Sequence, residues 1–130
     1  MRGIHAMLYV SSFLLADLGQ MMPNGKVNLL SAGFNRLQPT SYPFNLQCNL
    51  FLVIDGDASD VGNHIVDINL VDGQGKKLGS INCPFTISTN VTTATFLLPL
   101  NVAISSQGAY QWDVKIDGKI QSASRPLQAL

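Results

Sequence analysis

The sequence predicts an all-β domain, a two-sheet antiparallel β-sandwich of about eight strands, and three observations lead there. Residues 44–54 alternate strictly, with Phe44, Leu46, Cys48, Leu50, Leu52 and Ile54 on one side, as a half-buried strand does. Turn-forming pairs recur at short intervals, among them Asn24-Gly25, Asp72-Gly73, Gln107-Gly108 and Asp117-Gly118, which is hairpin punctuation. The 130 residues include no Glu but many Thr, Ser, Asn and Gln. Helix surfaces draw on Glu, whereas strand surfaces draw on the other four.

Asn24-Gly25 joins the first strand, 7–17, to the second, 26–34. Neither alternates cleanly, so protein is expected on both faces of this hairpin. Pro39 and Pro43 then break the chain ahead of the third strand, 44–54. On its outer side Asn45, Gln47 and Asn49 give way to Phe51 and Val53. An Asp/Gly loop leads to the fourth strand, 64–70, with His64, Val66, Ile68 and Leu70 facing inward. Residues 72–75 turn the chain into a short fifth strand, 76–82. The sixth, 93–104, carries Pro99 on its outer parity; proline cannot donate to a ladder, so this strand is split, bulged or at an edge. Tyr110, Trp112, Val114 and Ile116 turn inward on the seventh, and Asp117-Gly118 starts the eighth, 119–127. No helical period and no repeat appears, which favours sandwich over α/β.

One hundred and thirty residues make a single domain spanning 1–130, large enough to bury a core without staples. Net charge is zero and the longest basic run is Lys76-Lys77, so nucleic acid and anionic membranes are not expected partners. The apolar stretch 6–16 follows Arg2 like a signal-peptide core but falls well short of a membrane span. Its strand-forming residues and its hairpin partner argue that a signal peptide over 1–16 is absent, and a cytoplasmic location follows. Cys48 and Cys83 are too few and too far apart for a zinc pattern, and inward Cys48 is expected to be a free, buried thiol. His5 and His64 do not complete a metal site.

The run Leu15-Ala16-Asp17, then Asn24-Gly25-Lys26-Val27-Asn28-Leu29-Leu30-Ser31-Ala32-Gly33, resembles the AD…GK-hydrophobic-N-x-hydrophobic-G-x-G opening of a family of small bacterial and phage proteins known only as a domain of unknown function. Pro43, Val71-Asp72-Gly73-Gln74-Gly75, Gly108-Ala109-Tyr110-Gln111-Trp112, Asp117-Gly118 and Arg125-Pro126-Leu127 are also similar to its landmarks, in order and over nearly the whole chain. The departure is Ser31-Ala32 before Gly33, where a different bend is expected. The resemblance implies an immunoglobulin-like sandwich and no activity.

No nucleophile elbow, phosphate loop, zinc pattern or acid–base pair occurs, so an enzyme and a cofactor are not expected. Cys48 and His64, on strands taken as neighbours, are better read as core groups than as a reactive pair. Asp55, Asp57 and Asp60 form the best calcium candidate, because calcium takes several oxygen ligands from a flexible loop. Simple alternation of strand direction would gather these with Asp17 and Asp117 at one end. Tyr110 and Trp112 read as core, the former as a corner tyrosine. Outward apolar residues remain: Phe51, Val53 and Leu97, with Tyr9 and Phe13 on the first strand. With only 12% charged residues in the chain, these mark a face for a homodimer or a protein partner. The expected function is a non-catalytic interaction or structural module, with a calcium-dependent binding module using the loop Asp55 to Asp60 as the alternative.

Overall fold

The computed structural model describes residues 8–119 and 123–130. Within them lie the strands β1 (Tyr9–Met21), β2 (Val27–Ala32), β3 (Arg36–Leu37), β4 (Phe44–Asp55), β5 (Gly62–Val71), β6 (Lys77–Ile87), β7 (Thr93–Ile104), β8 (Gly108–Ile116) and β9 (Ala123–Ala129), with a single 3-10 turn at Ala58–Asp60. Four strands form one sheet in the order β2-β1-β4-β7, and five form the other in the order β3-β9-β8-β5-β6. Here β1, β4 and β7 stand where strands A, B and E stand in an immunoglobulin-like sandwich, and β5, β8 and β9 where C, F and G stand.

The inward parities read from the sequence make the core. Leu50, Leu52 and Ile54 of β4 meet Val66, Ile68 and Leu70 of β5 and Trp112 and Val114 of β8 in one buried cluster. Trp112 is 2% exposed. Tyr110 donates its hydroxyl to the Ser106 carbonyl at 2.6 Å, tying the start of β8 to the loop before it as a corner tyrosine does. Pro99 lies in β7, an edge strand, where its missing N–H faces no neighbour.

The turns are built in two ways. In the first hairpin the Met22 N–H donates to the Lys26 carbonyl and the Gly25 N–H to the Met22 carbonyl, with Gly25 at φ 82°. Residues 72–76 repeat both bonds, with Gly75 again at φ 82°. Asp117 and Gly118, at φ 55° and 71°, instead form a tight two-residue turn closed by Lys119 N–H to the Ile116 carbonyl, which needs positive φ at both positions.

Several sequence expectations change. There are nine strands among the described residues, and β3 pairs with β9 in parallel, so the sandwich is not wholly antiparallel. β6 runs on through Cys83 and Pro84 to Ile87. β9 starts at Ala123; its expected beginning includes residues 120–122, which lie outside the described residues, as do His5 and the first two residues of the stretch 6–16. The added pass of the chain through β3 reverses the direction of everything after it. The β1–β2 turn therefore lies at the opposite end from Asp55, because Tyr9 at the start of β1 pairs with Asp55 at the end of β4, and Asp17 does not join the other aspartates. Strands 44–54 and 64–70 are not neighbours either. β4 and β5 belong to different sheets.

Candidate functional site

Two regions gather the residues singled out by sequence. The first is the end of the sandwich holding the loop after β4, the turn after β8 and the start of β7. His64, at the head of β5, is the hub. Its Nδ1 lies 2.6 Å from Asp117 Oδ2 and its Nε2 lies 2.6 Å from the Asp60 carbonyl. The other Asp117 oxygen accepts the Ile65 N–H at 2.9 Å. The imidazole stacks on Phe85 at 5.4 Å between centroids, and Phe85 meets Phe96 of the facing sheet edge-on.

Burial alone would lower the His64 pKa, but the Asp117 carboxylate and the Asp60 carbonyl outweigh it and hold the pKa above the ordinary value. For Asp117 burial acts upward and is outweighed by His64 and the Ile65 N–H, so its pKa is lowered. With an acceptor at each nitrogen, the ring can satisfy both only as a doubly protonated imidazolium. Such a His pins structure; both nitrogens are engaged, and neither is left to accept a substrate proton.

The three loop aspartates are likewise turned onto their own chain. Asp57 accepts from the Ser59 N–H and hydroxyl, while Asp60 accepts from the Asp57 N–H at 2.9 Å, a reciprocal capping box. Asp55 accepts the Thr93 hydroxyl at 2.6 Å, and that bond holds its pKa low. Among the described residues no three His, Cys or Asp side chains converge to hold a metal ion. Cys48 is free and buried in the other sheet; burial, then the Asp17 charge, pushes its thiol up to about 11, so it stays protonated and unreactive. The Cys48–His64 pairing does not form.

The second region is the outer side of the four-stranded sheet. Phe51 lies between Leu14 of β1 and Leu97 of β7 in register. Phe51, Val53 and Leu97 are half-buried, whereas Tyr9 is 56% exposed. Phe13 corrects the sequence expectation: it is 6% exposed, in the core. A register irregularity between Val10 and Ser12 inserts a residue into β1, and one inserted residue exchanges the two faces. Tyr9 thus faces out and Phe13 in, despite equal parity in the sequence.

Leu97 is half-buried for a different reason. A Cβ placed on Gly19 would stand 2.6 Å from the Leu97 side chain, so the far part of the β1–β2 hairpin lies against this face, and a larger residue at 19 would require Leu97 to shift. The hairpin's other side presents Leu18 and Leu30, cross-strand partners that are each 60% exposed. An open groove of about 430 Å³ runs there, lined by Leu18, Gly19, Gln20, Asn28, Leu29 and Leu30. Sequence reasoning missed this pair: a two-residue turn at Asn24-Gly25 would set Leu18 opposite Ser31, whereas the observed turn holds residues 23–25 and brings Leu18 opposite Leu30.

Among described residues no helix is long and apolar enough to cross a membrane. In fold, the Pseudomonas fluorescens alkylpurine DNA glycosylase AlkC bound to DNA containing an abasic site analog is similar, with a TM-score of 0.58 over 94% of this chain and 10% sequence identity. The chain spans 30% of the length of that glycosylase, and the likeness concerns the fold alone. No curated protein matches the chain in sequence. The sandwich, its closing turns and the bend at Ser31 to Gly33 occupy the stretch that carries the family's landmarks, and over residues 11–129 the chain matches, and belongs to, the family of unknown function DUF6941.

Proposed function

We propose that this domain is a non-catalytic interaction module, cytoplasmic and of bacterial or phage origin, that meets a protein partner through its β1–β2 hairpin. The observation that carries this reading is the Leu18–Leu30 pair. Two cross-strand leucines, each 60% exposed beside an open groove, are an apolar surface that water disfavours and a partner would cover. The zero net charge of the chain supports a protein partner over nucleic acid. The calcium reading has no comparable support, because the loop carboxylates already serve their own turns.

The test is a footprint. Leu18 and Leu30 are each 60% exposed, so hydroxyl-radical labelling of their side chains, read by mass spectrometry, reports whether the pair is covered. In extract of the native cells Leu18 and Leu30 should be labelled several-fold more slowly than in the purified protein at low concentration. Equal rates in both would reject the reading. A second copy as the partner would show as protection that grows with concentration in the pure protein, with a species at twice the 14.0 kDa chain mass.

A further inference from the structure

Each open sheet edge is a row of unpaired N–H and C=O groups, and proteins blunt such rows with proline, charge, bulges or brevity. Here Pro84 stands in β6, Pro99 in β7 and Pro126 in β9, while β3 is two residues long. Pro126 shows how this works. Gln128 and Leu130 donate their N–H groups toward the β3 side, to Asn35 and Leu37, and Pro126, of the same parity, holds the next donor position with no N–H. The edge of β2 differs. Its sequence VNLLSA contains neither proline nor charge, and among the described residues no strand pairs with it on the side away from β1.

The ladder tells which groups are free. Met22 donates to Lys26, and opposed pairs alternate between bonded and non-bonded along an antiparallel ribbon. Counting along the β1–β2 register, Gln20↔Asn28 and Leu18↔Leu30 exchange bonds across the hairpin. Val27 and Leu29 therefore turn their N–H and C=O outward. Ser31, at φ 54°, bends the strand beyond them, so the addressable edge is residues 27–30.

We infer that the β2 edge is a strand-addition site that accepts a short, extended, uncharged peptide segment of a partner protein, pairing its main chain with Val27 and Leu29. This inference rests on the interaction reading above and names the partner's form. Main-chain bonding to an exposed edge supplies affinity, and alternate side chains supply selectivity. The groove beside Leu18 and Leu30 takes apolar side chains, and residues 27–30 themselves offer a charged segment no counter-ion, with Lys26 flanking them. A second copy pairing edge to edge is disfavoured by size. Four residues at about 3.4 Å each, in a layer ~10 Å deep, bury roughly 300 Å² in all, against about 1,200–2,000 Å² for a stable assembly. A peptide from a larger partner does not depend on that area alone.

The test uses the full chain and a capped hexapeptide of alternating Thr and Val with a short Lys tail. At peptide equal to twice its dissociation constant, amide exchange at Val27 and Leu29 should slow about threefold, with shifts confined to the hairpin. The same peptide N-methylated at alternate amides should do nothing. Leu29→Pro removes an outward donor and no β1 bond; folded by its amide spectrum, it should lose the response. Shifts at the β6 or β7 edge instead, equal binding by the N-methylated peptide, or no response at millimolar peptide would each overturn strand addition. Protection of Leu18 and Leu30 in cell extract beside a silent peptide rejects strand addition alone, and unprotected leucines reject the interaction reading itself.

Discussion

His64 and Asp117, 53 residues apart in sequence, are joined by a contact of 2.6 Å between Nδ1 and Oδ2. The pair fastens β5 to the turn that closes β8, and the Asp60 carbonyl fixes the other ring nitrogen. Charge-assisted bonds of this length are among the stronger ones, and a folded-state pKa shift is also a stability dependence.

The pH dependence follows from the two shifts. The His64 pKa is raised in the folded protein, so its contribution is full below the unfolded value of about 6.5 and is lost as pH rises through the folded pKa. The Asp117 pKa is lowered, so its contribution is full above the unfolded value of about 3.9 and is lost as pH falls through the folded pKa. Urea midpoints should therefore hold a plateau between about pH 4 and 6.5 and decline on either side. Asp117→Asn should shrink the alkaline decline and bring the His64 proton titration, followed by NMR, down toward the ordinary value. A His64 titration unmoved by that substitution would contradict the pairing.

Tyr110→Phe removes the hydroxyl bonded to Ser106 and leaves the ring in place. The expected loss is about 1 kcal/mol, read by equilibrium urea unfolding. No loss would mean the corner bond contributes nothing here.

Ser31 holds φ 54°, a conformation costing a non-glycine residue about 1–2 kcal/mol. The related pattern carries glycine at this bend. Ser31→Gly should stabilise the domain by about 0.5–1 kcal/mol after glycine's larger unfolded-state freedom is counted. Destabilisation would show that the Ser31 side chain has a role of its own.

Trp112 is 2% exposed and its indole N–H has no partner among the described residues. Trp112→Ala should cost about 3–5 kcal/mol through the cavity it leaves. Trp112→Phe should cost less than half of that, because it also removes an unsatisfied buried donor. A loss under about 1 kcal/mol for Trp112→Ala would contradict the burial.

Most of the architecture was legible because β4, β7 and β8 carry an uninterrupted two-residue period, and a buried face cannot slip by one residue without exposing its core. The gaps have specific causes. Arg36-Leu37 is too short to show a period, and missing it reversed the end assigned to Asp17. The insertion near Ser11 exchanged the faces of β1, so Phe13 was read as a surface candidate. The His64–Asp117 contact needs the β5–β8 register, which no local pattern in either strand states. Leu18 was missed because the first strand was ended at residue 17, whereas β1 runs on to Met21 and closes through a three-residue turn that sets Leu18 opposite Leu30.

Site-specific photo-crosslinking tests most directly whether the hairpin is the contact surface. A photoreactive residue is placed at Leu18 or Leu30, and as a control at Thr95 on exposed β7, in the chain expressed in its native cells. Defined protein adducts at positions 18 and 30, absent at 95 and lost in Leu29→Pro, are the predicted result. Adducts of equal yield at all three positions, or at position 95 alone, would contradict it.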